Sequence, residues 1–126
     1  MLFEIASNKT IAEIDQALRD SAARQKFGVI AVHDLKDTMQ KKGVEFAGEC
    51  FIYEVCNPHQ AKRVLEANGA VSTALPCRIS VYRAGERYKI ATLLPTALMQ
   101  MFGSPELEPV ARDVEAVIRR MIEDAA

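Results

Sequence analysis

Two spacings of apolar residues divide the chain. Ile11, Ile14 and Leu18 recur at helical spacing and Ala22 extends the stripe, which predicts an amphipathic helix over roughly residues 9–26. Ahead of it, "LFEIA" (2–6) is a short candidate strand. "KFGVIAVHD" (26–34) is rich in β-branched and aromatic residues and reads as a buried strand. "LKDTMQKKG" (35–43) reads as a short helix that Asp34 caps and Gly43 stops. In "CFIYEVC" (50–56) the period changes to two, with Phe51, Tyr53 and Val55 on one face and Cys50, Ile52, Glu54 and Cys56 on the other. Asn57 is then a natural N-cap. Pro58 takes the first helical position, where a missing N–H leaves no intrahelical bond unmade.

Ala61, Val64 and Leu65 are the expected buried stripe of that helix, and Gly69 its end. "CRISVYRAGERYKIATLL" reads as two strands around a turn at Ala84-Gly85-Glu86. Ser104-Pro105-Glu106 is expected to cap a final helix reaching to about residue 124, with Leu107, Val110, Val114, Ile118 and Met121 as its core face. So few strands bury their apolar side most economically as one sheet covered by helices on one side. The expectation is a two-layer α+β domain spanning residues 1–126, its sheet at least partly antiparallel because of the hairpin.

Composition adds exclusions. The chain is 49% apolar and 26% charged with a net charge of -1, and its pI is near 6.1. Phosphate backbones are bound by basic surfaces, so a nucleic-acid partner is not expected. No apolar run approaches the ~20 residues of a spanning helix, and "MLFEIASNKT" lacks the pattern of a secretory signal, so neither membrane nor export is expected. Three cysteines, an odd number without framework spacing, fit a reducing cytoplasm.

The candidate chemistry is centred on those cysteines. No C-x-x-C pair exists, so neither a metal nor another cofactor is implied. Six strand steps at ~3.3 Å hold Cys50 and Cys56 about 20 Å apart, which removes Cys50 as a partner. Cys56 stands just before a helix start, where free N–H groups and the helix dipole favour a thiolate. Cys77 lies beside Arg78, although strand neighbours point to opposite faces.

Whether Cys56 meets Cys77 depends on topology. A parallel crossover would part them to opposite ends of the sheet, whereas "AVSTALP" (70–76) running back would join them. His33-Asp34 ends a strand, and a Cys56–His33 nucleophile–base couple requires both strands to end at one edge. Asn57 and Arg78 are candidate ligand-binding groups. Against all of these stands the ordinary use of cysteine as a small buried hydrophobe. His59 is expected in solvent, and Leu98, Met99, Met101 and Phe102 as core or dimer interface, with an adaptable binding surface as the alternative.

"FGVIAVHDLK…KKG", "YEVCNPHQAKRVLEANG" and "LPCRISVYRAGERYKIATLLPTALM", with the acidic closing helix, resemble the domain-of-unknown-function family numbered 302. The most specific pieces are Cys56-Asn57-Pro58, followed by Ala61 and Leu65, and Leu75-Pro76-Cys77-Arg78-Ile79. The resemblance implies a small prokaryotic α+β domain, a homodimer, and an association of some members with sulfur-handling proteins, but no activity. The expected function is a non-catalytic, cytoplasmic ligand- or partner-binding homodimer. The alternatives are a thiol-dependent redox or sulfur-transfer protein using Cys56 with Cys77, and a purely structural dimerisation module.

Overall fold

The structure, a computed structural model, describes residues 1–126. Five strands are present: β1 (Leu2–Ser7), β2 (Gly28–Asp34), β3 (Cys50–Cys56), β4 (Cys77–Ala84) and β5 (Arg87–Leu93). The α-helices are α1 (Ile11–Arg24), α2 (Leu35–Lys41), α3 (Pro58–Ala67), α4 (Pro95–Gln100) and α5 (Leu107–Ala125), and a 3-10 helix spans Gly69–Ala74. The strands form one sheet in the order β1-β5-β4-β3-β2. Every neighbouring pair is antiparallel. This is an α+β fold, as the strand and helix pattern predicts.

Strand parity decides which face is core. Tyr53, Val55, Ile79, Val81, Tyr88 and Ile90 point to one side and join Ile14 and Leu18 of α1 and the α5 stripe in a single buried cluster. All five α5 positions expected to face inward are buried, as are Ile14, Leu18 and Ala22. The two helices are tied at one end by Asp124, which accepts from Ser21 Oγ at 2.8 Å and Arg24 Nη2 at 3.1 Å. Thr10 and Glu13 form a reciprocal capping box that starts α1.

Several boundaries differ from the sequence reading. β2 is an edge strand rather than a buried one, with Ile30 59% exposed at a register shift between Val29 and Ala31. A bulge there interrupts the free edge, which discourages pairing with another chain. In α3, which packs on α5 and the following 3-10 helix, only Val64 is buried, and Leu65 is 40% exposed. That helix ends at Ala67, so Gly69 opens the following 3-10 helix instead of closing α3. Ser104 does not cap α5: the helix starts at Leu107 without a side-chain cap, and Ser104 Oγ takes a hydrogen bond from Asn68 Nδ2 at 3.2 Å. Of the methionine cluster, Met99 is buried and Met101 is 76% exposed.

Tyr53 carries a polar tip at the core, and its hydroxyl donates to Asp15 Oδ1 at 2.7 Å. Burial, and then that bond to a carboxylate, push its phenol well above the ordinary value of 10.0. A raised phenol pKa in the folded state gives stability that is whole below about pH 10 and is lost above it, where only the unfolded chain ionises readily. Tyr53→Phe should therefore lower unfolding free energy by about 1–2 kcal/mol near neutrality. It should also flatten the loss of stability above pH 10; urea titrations at pH 8 to 11 check both, and an unchanged alkaline slope would refute the assignment.

Candidate functional site

The register of β3 on β4 places Val55 opposite Cys77. Since β3 ends at Cys56 and β4 begins at Cys77, both cysteines lie at one end of the sheet. The chain gets there through α3 and the 3-10 helix, which bring "AVSTALP" back across the domain. It enters β4 through a cis Leu75–Pro76 peptide.

Asn57 holds this junction. Its Oδ1 accepts from Gln60 N at 3.1 Å, and its Nδ2 donates to Lys26 O at 3.0 Å. The first bond caps α3; the second anchors the helix start to the turn between α1 and β2, where Lys26 has a φ of 62°. Both ends of the amide are thus engaged within the fold.

Two hollows meet at Cys77. A narrow one of about 30 Å³ is lined by Cys56, Cys77, Val55, Val64, Leu75 and Val114, among others. On its other side lies a cleft of about 260 Å³ between the start of β4, the end of β5 and α4. Leu93, Pro95, Leu98 and Met99 give that cleft an apolar wall, with Arg78 and Thr73 also lining it. Thr92, 6% exposed, donates from Oγ1 to Arg78 O at 2.8 Å and fixes the two strand ends to each other.

Arg78 itself is weakly held. Its Nε is 3.9 Å from Glu54 Oε1, and its side chain is 65% exposed. The same carboxylate oxygen is 3.2 Å from His33 Nε2. His33 and Arg78 therefore meet through Glu54, on the sheet face that carries no helix.

The structure does not form the Cys56–His33 couple. β2 runs antiparallel to β3 with Gly28 opposite Cys56 and His33 opposite Ile52, so the histidine is at the far end. Five strand steps separate His33 from Gly28, about 17 Å. Cys50 is likewise at the far end, near Ser80 Oγ at 4.0 Å. No three His, Cys, Asp or Glu side chains converge as metal ligands would. Burial, and secondarily the nearby Cys56 sulfur, raise the Cys77 thiol from 9.0 to about 11. Burial thus disfavours its thiolate near neutrality, which suits an apolar wall better than a nucleophile.

A larger hollow, of about 770 Å³, lies between α4 and α5. Its ionic groups are already used: Glu115 Oε1 accepts from Thr96 N and Oγ1 at 3.1 and 2.7 Å, and Arg112 pairs with Glu108 at 2.5 Å. The smaller cleft is the better site, because half of its lining is apolar and its lining carries no ion pair of its own.

Sequence reading singled out Arg78, Cys77, Leu98 and Met99 but did not bring Thr92, Leu93 and Pro95 to them as one cleft. The available signal was Leu94-Pro95, a proline at a helix start directly after a strand, which places α4 at the same sheet end. Glu54 was placed on its face but not assigned a partner.

A two-layer α+β domain with an open sheet face and an apolar cleft at one sheet end is the class these features define. The chain belongs to the family described as domain of unknown function DUF302, whose model matches residues 3–125. It is similar in structure to an uncharacterized conserved DUF302 protein from Bacillus stearothermophilus, with a TM-score of 0.93 and 30% identity, over 99% of this chain and 98% of that one. Comparison with curated proteins gives no match.

At pH 8, iodoacetamide should label Cys77 in the folded protein at least about thirtyfold more slowly than in urea, a measure of its suppressed thiolate and burial. Peptide mass spectrometry reads the rates, and equal rates in the two states would contradict the assignment.

Proposed function

We propose that the chain is a non-catalytic, cytoplasmic ligand-binding module that works as a homodimer. The observation that carries the ligand-binding reading is the cleft at the β4–β5 end, a hollow of about 260 Å³ with apolar walls and the Thr73 and Thr92 side chains among its lining. Ligand sites combine such walls with a few polar groups that fix orientation. The candidate acid, base and thiol groups, by contrast, are spread over both ends and both faces of the sheet. Three free thiols suit a reducing compartment, and no helix is long and apolar enough to cross a membrane.

The homodimer reading draws on the family resemblance and on the uncovered sheet face. Ile52, Ser80 and Ala91 are aligned across its centre by the register. Its charges are matched within the chain: Glu54 with His33 and Arg78, and Glu4 with Lys89 at 3.3 Å and with the Tyr82 hydroxyl. Such a face can meet a second copy without burying an unpaired charge. Five strands ~4.8 Å apart and ~20 Å long have a footprint near 500 Å² before side-chain relief. That approaches the ~800 Å² per partner of a stable interface.

A second reading is favoured by one observation. Cys56 and Cys77 line the same narrow hollow, as a redox or sulfur-transfer pair would require. It demands that Cys77 react, so the labelling rates described above decide it.

Two measurements test the main reading. In a small-fragment titration followed by amide NMR, binders should shift resonances from Cys77 to Ile79 and from Thr92 to Met99. Leu93→Trp, which adds bulk from a half-exposed wall position, should reduce those affinities at least about fivefold; shifts confined to other regions would sink the cleft. Sedimentation equilibrium should give a dimer that Ile52→Arg on the open face converts to monomer, because it would bury an unpaired charge. A monomeric parent, or a variant that stays dimeric, would overturn that half.

A further inference from the structure

We propose that the cleft takes a small uncharged aliphatic alcohol, its hydroxyl donating to Thr92 Oγ1 and its chain lying against Pro76, Pro95, Leu98 and Met99. This rests on the ligand-binding reading and narrows it to one chemical class. Thr92 is 6% exposed and lines the cleft. Its hydroxyl proton is used on Arg78 O at 2.8 Å, and no donor of the chain reaches its oxygen. Thr92 Oγ1 is therefore a buried acceptor with a lone pair to spare, at the wall of a hollow.

The cleft holds no charge that could meet one on a ligand. Arg78 is the single ionic residue of the lining. Strand alternation turns its side chain away from that of Cys77 to the helix-free face, where Glu54 Oε1 lies 3.9 Å from its Nε. A carboxylate, phosphate or ammonium in the cleft would lose water without gaining a counter-ion. A neutral ligand carries no such cost.

Donors are scarce in the lining as well. Pro76 and Pro95 have no N–H, Leu98 N already donates to Leu94 O, and Thr73 Oγ1 donates to Ala70 O at 2.8 Å. An ester, amide or sugar would bring several oxygens and find few partners for them. A single hydroxyl supplies the donor that Thr92 Oγ1 lacks and adds only one oxygen. Pro76, Pro95, Leu98 and Met99 favour hydrocarbon for the remainder, and the unbranched thioether of Met99 adapts to its length. Apolar cavities of ~150 Å³ accept benzene. A hollow of about 260 Å³ thus has room for roughly seven to ten non-hydrogen atoms, the range of six- to eight-carbon alcohols.

The test titrates the full chain with 1-hexanol, its isomer methyl pentyl ether and hexanoate, followed by amide NMR. Hexanol should shift the amides of Cys77–Ile79, Thr92–Leu93 and Leu98–Met99 and saturate in the millimolar range. The ether, equal in size but without a donor, should bind about fivefold more weakly, and hexanoate about tenfold or more. Thr92→Val should bring hexanol down to the level of the ether while leaving the ether unchanged. Thr92→Ser, which keeps the oxygen, should retain the parental preference. The ratio of hexanol to ether in the parent decides even where Thr92→Val does not fold. If the ether or hexanoate equals hexanol, or if Thr92→Val retains the preference, the alcohol assignment fails and the cleft remains a ligand site. If none of the three shifts these amides, the assignment and the ligand-binding reading fail together.

Discussion

The antiparallel register of β3 on β4 is the constraint on which the candidate site depends. Because Val55 faces Cys77 across the ladder, the chain leaving β3 must turn outward, pass through α3 and the 3-10 helix, and return to the end it left. A parallel crossover of the same length would have delivered Cys77 to the other end. That return loop forms one wall of the cleft, and β5, antiparallel to β4, sends α4 out at the same end as the second wall. A single choice of strand direction thus assembles Cys56, Cys77, Arg78 and the α4 apolar residues around one sheet end. The same choice strands His33 and Cys50 at the opposite end.

Packing follows from the parity of those strands. Alternate residues of β3, β4 and β5 supply one apolar face, and the buried stripes of α1 and α5 cover it. The opposite face receives no helix and is built as a surface, with acids placed opposite bases and small residues at the centre. Tyr53 shows how strict the division is: its ring belongs to the core, and its hydroxyl reaches past the core to Asp15 on α1. The sheet therefore has one face committed to stability and another kept available.

Sequence reading recovered much of this because the signals are local. The α1 and α5 stripes, the Asn57-Pro58 start of α3 and the turn at Gly85, with a φ of 66°, are each fixed by residues within a few positions of one another. What failed depends on distant partners. An apolar, β-branched run such as "GVIAV" reads the same for a buried strand and a bulged edge, and only strand order separates them. Leu65 fits a helical stripe but is left exposed, because α3 meets α5 along Val64. Ser104 has the chemistry of a cap, yet Asn68, far back in the chain, takes its hydroxyl. The site was legible in part for the same reason: Cys56, Asn57 and Arg78 are marked by their immediate neighbours, whereas the cleft exists only once β5 and α4 are placed beside β4.

Sheet order has one more consequence, set in time. β1 has a single strand neighbour, β5, with Ser7 opposite Tyr88. At a ribosomal pace of ~5–20 residues per second, the partner emerges roughly 4–16 s after β1 does. Through that interval β2, β3 and β4 can pair in sequence as each appears, while β1 has nothing to pair with. Within this sheet β1 can gain its strand partner only once β5 has been made.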